Sequence, residues 1–204
     1  KNAFRQCRGL TGHIPSTLFA AGSAVTDFSG TFAGCKGFSE SIPADLFAGH
    51  TGVTDFSQVF LACSGLTGPI PEGLFATNTG VLTFKSVFSG CSGLSESIPA
   101  GLFEHNEDVS NLSSVFNGCD HLTDPIPASL FSHNLKVTDF SYAFINCSGL
   151  RGSIPVNLFA LNTSALSFSY VFKDCTGLSG DIPSGLFEHN TSAYNFDGVF
   201  SGCT

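Results

Sequence analysis

The sequence predicts an α/β repeat solenoid. It is expected to be a curved array of seven 28-residue turns plus a partial turn, with short parallel strands on the concave side and short helices outside. Three observations predict it. Cys7, Cys35, Cys63, Cys91, Cys119, Cys147, Cys175 and Cys203 lie 28 residues apart without a slip. Ile14, Ile42, Ile70, Ile98, Ile126, Ile154 and Ile182 keep the same step, and each is followed by proline. Of the 22 phenylalanines, 21 fall at three positions of the repeat, as in Phe56, Phe60 and Phe75. A fixed period of this length with apolar positions in register means stacked turns that bury one continuous core.

Each element follows from one turn, taken from Leu66 to Leu94. Leu66-Thr-Gly-Pro-Ile70 has apolar residues at both ends of a five-residue run, which fits a short half-buried strand. Pro71 has no N–H to donate and presets φ for a helical turn, so Pro71–Phe75 is expected to be a short 3₁₀ or α turn. The stretch Ala76–Gly80 is polar and varies most between repeats. A second helical segment is expected where Phe56, Val59, Phe60 and Cys63 fall at i, i+3, i+4 and i+7. The residue before it is Asp27, Asp55, Thr83, Asn111, Asp139, Ser167 or Asn195, each a helix N-cap type. At its far end stand Gly34, Gly90, Gly118 and Gly202, with Asn146 and Asp174 in two other turns, which suits a helix C-terminus. Helices pack ~8–10 Å apart and strands about half that, so the array is expected to bend with the strands inside.

Composition bounds the rest. Hydrophobic residues make up 42% and charged residues 12%, enough for a core and against disorder. The repeat makes residues 1–204 a single elongated domain. The net charge is −8 with only eight Lys plus Arg, which argues against nucleic acid and against anionic membrane surfaces as partners. No run of 18 apolar residues occurs, so no membrane insertion by this segment is expected. The chain begins at Lys1 and contains no Met. It is read as a segment of a longer array without its natural caps, each end to be covered by more repeats, a cap or another copy.

The segment Leu66–Phe75, LTGPIPEGLF, resembles the L-T-G-x-I-P-x-x-L signature of plant-type leucine-rich repeats. Val53–Leu66, VTDFSQVFLACSGL, more closely resembles bacterial leucine-rich-repeat surface proteins of the BspA-like type. The match recurs in every turn. The resemblance implies an extracellular or cell-surface protein that adheres to proteins of a host or neighbouring cell.

The candidate site residues each have a bland reading. The eight cysteines lack the short paired spacing of a zinc site. Equivalent cysteines one turn apart are within disulfide range but point the same way, so they are read as a structural ladder of thiols, with some bridging left open. His105, His133 and His189 share a loop position, preceded twice by Glu104 and Glu188, and read as solvated and not as a metal site. Asn-x-Ser/Thr sequons occur at Asn111, Asn146, Asn162 and Asn190; Asn162 and Asn190 lie in the variable loop as possible glycosylation sites. The strand faces carry few aromatic or arginine anchors, so Tyr142 and Tyr170, one turn apart on the expected outer helices, are the better contact residues. No catalytic or cofactor motif stands out from the repeat, and neither an enzyme nor a cofactor is expected. Two functional readings follow: a non-enzymatic extracellular scaffold for protein binding or adhesion, or a structural module of a filament, stalk or sheath stacked end to end.

Overall fold

Backbone polar groups decide how consecutive turns lie on one another, since a buried N–H or C=O must be paired. In this computed structural model, which describes residues 1–20 and 24–204, they pair both within each turn and between consecutive turns. Asp27 bridges Asp55 in parallel, and the ladder runs on through Thr83, Asn111, Asp139 and Ser167 to Asn195. One rung shows its form: Thr54 N donates to Thr26 O at 2.9 Å and Phe28 N to Asp55 O at 2.9 Å. The solenoid is thus laced along the column that the sequence offers as helix caps.

The segment that follows is not a helix, and no helix occurs among the described residues. It is a ribbon of successive β-turns. Val59 N donates to Phe56 O, Leu61 N to Gln58 O and Cys63 N to Phe60 O, at 3.0 to 3.2 Å. The alternate N–H groups of Phe56, Gln58, Phe60 and Ala62 donate to Thr83, Lys85, Val87 and Ser89 of the next turn, at 2.6 to 3.1 Å. Ser57 N donates to the Asp55 carboxylate at 2.7 Å. Every N–H from Phe56 to Cys63 therefore has a partner. Gln58 and Ala62 have φ of 60° and 56°, and two left-handed residues four apart exclude a right-handed helix. The apolar spacing misleads because two four-residue turns bury positions 56, 59, 60 and 63 as one helical face would.

The expected strand is reduced to single bridges: Gly12 with Phe38, Gly68 with Leu94, Glu96 with Leu122 and Gly152 with Leu178. The first residue of each pair has φ between 67° and 80°. Glu40 and Asp124 hold the same position without a positive φ, and neither forms a bridge to the next turn. A left-handed residue, which glycine adopts without steric cost, accompanies each bridge, although Glu40 O also accepts from Thr67 N of the next turn at 3.3 Å. After the wall, Leu74 N donates to Pro71 O and Ala76 N to Gly73 O, again β-turns in place of a helical turn.

Three phenylalanine columns fill the interior. Phe32, Phe60 and Phe88 stack with ring centroids 5.7 and 5.9 Å apart, planes within 5°. Phe47 and Phe75 belong to a second column, 6.0 Å apart, and Phe56 and Phe84 to a third, 5.7 Å apart. All seven of these rings lie below 2% exposure, and Leu112 alone interrupts the third column. Equivalent rings one turn apart repeat 5.5 to 6.4 Å from one another along the array. The expectation of curvature rested on outer helices, and no helix occurs among the described residues.

Candidate interaction surfaces

The ladder residues named as helix caps do a related job without a helix. Their side chains accept from the N–H two residues on: Asp27 from Ser29 at 2.7 Å, Asp139 from Ser141 at 2.9 Å, Asn111 from Ser113 at 2.9 Å and Asn195 from Asp197 at 3.1 Å. Thr83 accepts from Lys85 at 3.2 Å and Ser167 from Ser169 at 3.4 Å. This is the Asx or Ser/Thr turn, which the same residue types favour. Burial raises the Asp27 pKa, but the hydrogen bonds from Ser29 and the charge of Lys1 outweigh it and leave the carboxyl below its usual value.

All eight cysteines are free thiols, buried except for Cys7 and Cys203. From Cys35 to Cys203 each Sγ donates to the carbonyl of the phenylalanine 31 residues before it, at 2.8 to 3.1 Å. Burial pushes the thiols of Cys63 and Cys175 up to about 12 and those of Cys91, Cys119 and Cys147 well above the usual range. A thiol that does not ionise is a poor nucleophile and metal ligand. The arrangement makes these groups part of the frame.

The variable loop holds a feature that the residue pattern carried unnoticed. Asn78, Asn106, Asn134, Asn162 and Asn190 form a buried column. Each Nδ2 donates to two carbonyls of the preceding turn; Asn134 reaches Phe103 O at 3.0 Å and Asn106 O at 3.0 Å. His50 takes the column's earlier place, and its carbonyl accepts from Asn78 Nδ2 at 2.9 Å. Recurrence of Asn at the 28-residue step was the available signal.

The column corrects the reading of Asn162 and Asn190 as glycosylation sites. Both side chains are buried, and the nitrogen that would carry sugar donates to Phe131 O and Asn134 O in one case, to Phe159 O and Asn162 O in the other. His105, His133 and His189 beside them are exposed, and no group of three His, Cys, Asp or Glu side chains among the described residues could hold a metal. Tyr142 and Tyr170 stand on the turn ribbon, not on helices, and stack with centroids 5.3 Å apart. Among the described residues no helix is long and apolar enough to cross a membrane.

What remains facing solvent is the wall between Leu66 and Ile70 and its equivalents, the outer edge of the ribbon and the loop beside the Asn column. A family model described as "Mycoplasma protein of unknown function, DUF285" matches residues 1–128. Comparison with curated proteins gives no match. Among solved structures, the chain is similar to a TDR receptor, with 26% identity and a TM-score of 0.58 over 92% of this chain and 28% of that one. It is also similar to the leucine-rich-repeat ectodomain of the Arabidopsis receptor kinase HAESA, solved with an extended IDA peptide hormone ligand, with 20% identity and a TM-score of 0.56 over 92% of this chain and 27% of that one. The fold is a leucine-rich-repeat solenoid, and the chain spans little more than a quarter of either receptor chain.

Proposed function

The chain belongs to the family described as "Mycoplasma protein of unknown function, DUF285", and from that premise we propose that it is a non-enzymatic, extracellular repeat scaffold that binds protein partners at a cell surface. The observation that carries this reading is the division of labour within each turn. The ribbon's alternate N–H groups, the thiols and the Asn amide nitrogens are committed to neighbouring turns, and the ribbon's other N–H groups to their own turn. The differences between turns face solvent, as where the wall carries Gly12, Glu40, Gly68, Glu96, Asp124, Gly152 and Gly180 at one position. A frame that absorbs its own polar groups leaves its surface free to vary for recognition. Catalysis would need one special place, whereas the buried thiols and Asn amides of the frame recur one turn away. The peptide complex of the HAESA ectodomain belongs to that protein; for this chain it makes proteins and peptides the first partners to test.

The unvarying rungs favour a second reading, a structural module of a filament, stalk or sheath built from further copies end to end. One experiment separates the two. A photo-cross-linker at Ser95 on the wall is expected to capture a defined protein from the surface of cells exposed to the chain, with the chain itself sedimenting as a discrete particle. Cross-links confined to other copies, with sedimentation as long polymers, would replace the scaffold by the filament.

A further inference from the structure

Burial separates the four Asn-x-Ser/Thr sequons of the chain. Asn162 and Asn190 are 0% and 3% exposed, and each gives its amide nitrogen to two carbonyls. Asn111 is half-buried in the ladder between Thr83 and Asp139. Its Oδ1 accepts from Ser113 N at 2.9 Å and from Ser113 Oγ at 2.7 Å. Asn146 differs from all three. It is exposed, as is Ser148 two places on, and its carboxamide has no partner among the described residues.

The ribbon keeps that carboxamide outside. Asn146 stands one place before Cys147 with φ of 61°, and the residue at this place is left-handed in every turn from Gln6 to Gly202. Asn tolerates the conformation better than most side chains do. Its N–H donates to Lys173 O at 2.8 Å, so the backbone is pinned to the next turn and only the side chain is free. Side chains at this place lean toward the following turn. A Cβ on Gly34 would meet the Gln6 amide, and one on Gly202 the Asp174 carboxylate. Gly118 holds the place in the turn before Asn146, so no side chain leans over it from that turn.

We propose that Asn146 is the position at which the folded chain carries an N-linked sugar, a reading that rests on the extracellular scaffold above. Such a sugar is bulky and stands on the surface of a secreted protein. The donor is a lipid-linked oligosaccharide diphosphate. Asn146 Nδ2 bonds to the anomeric carbon, the bond from that carbon to the diphosphate oxygen breaks, the lipid diphosphate leaves, and the amide proton passes to the transferase. A sugar at Asn146 costs the frame no hydrogen bond. One at Asn162 would need room inside a column closed by Asn134 on one side and Asn190 on the other.

The test is the full chain secreted from a glycosylating eukaryotic host behind a cleavable signal, with folded molecules recognised by thiols that resist labelling. Folded chain is expected to run as a single larger species that an Asn-specific glycan amidase returns to the size of the bare chain. Peptide mapping after the amidase in heavy-oxygen water is expected to place the label at Asn146 alone. Asn146→Gln and Ser148→Ala are each expected to abolish the modification, and Ser148→Thr to keep it. Ser164→Ala and Ser192→Ala remove the buried sequons at exposed hydroxyls, outside the Asn column, and are expected to leave the modification unchanged. A folded, secreted chain without sugar, or one with its sugar at Asn111, Asn162 or Asn190, would overturn the proposal. The map needs no binding partner, so a failed Ser95 capture leaves it standing, and a secreted chain without sugar leaves the capture result standing.

Discussion

Asn134 and Asp55 are polar residues of comparable size whose removal should cost different amounts. Asn134 is fully buried and satisfies two carbonyls of the preceding turn. Asp55 is half-buried and holds one N–H of its own turn. Asn134→Ala is expected to lose about 2–3 kcal/mol, the cost of buried groups left unpaired, and Asp55→Ala about 1. Denaturant melts of the two variants check the order; a larger loss for Asp55→Ala would mean that the Asn column is not a support. The thiols give a pH dependence. Their folded pKa lies above the unfolded value of about 8.5, so the unfolded state gives up protons first as pH rises. Their contribution is full below about pH 8.5 and falls from there toward pH 12. Melting temperature should therefore drop between pH 8 and 10, and less steeply in Cys91→Ala. A thiol reagent at neutral pH should label few cysteines in the folded chain and all eight after unfolding without reductant.

At the scale of the element, the turn ribbon and a helix make opposite predictions for one substitution. Ala62 has φ of 56°. In a helix interior Ala→Gly costs about 1 kcal/mol, but at a left-handed position glycine relieves a strain of about 1–2 kcal/mol. Ala62→Gly is expected to raise the denaturation midpoint, by up to about 1 kcal/mol after the entropy of the unfolded glycine is subtracted. A lowered midpoint would restore the helix. Far-UV circular dichroism should likewise lack the double minimum of helical proteins. The ribbon also explains the flanking columns: its alternate N–H groups reach the next turn only because those between them turn back to the i−3 carbonyl.

For the whole molecule, pairing between turns makes 28 residues the unit of cooperative structure. Deleting residues 92–119 joins Cys91 to Asp120 in the same register, so phenylalanine, asparagine and thiol columns all close over the gap. That variant is expected to unfold cooperatively at a lower temperature, since a repeat array loses one set of nearest-neighbour contacts. Deleting only 92–105 puts every following column out of phase and should abolish the cooperative transition. Equal melts for the two deletions would show that the turns do not depend on register.

By itself the sequence determined the period, the columns and which side of each turn is buried, because a 28-residue step with Phe, Ile and Cys in register admits no other way of hiding them together. It also supplied the chemistry of the ladder: Asp55 and its counterparts hold an N–H two residues on, whichever element follows. Only the tertiary structure decided that the element is a ribbon of turns. Phe56, Val59, Phe60 and Cys63 satisfy both patterns locally, and the choice lies with carbonyls 27 residues away that accept from the alternate N–H groups. Burial of Asn162 was equally hidden, since an Asn-x-Ser sequence looks the same whether its nitrogen faces water or two carbonyls of the turn beneath. Period is a property of the chain, whereas hydrogen-bond partners one turn away exist only after stacking.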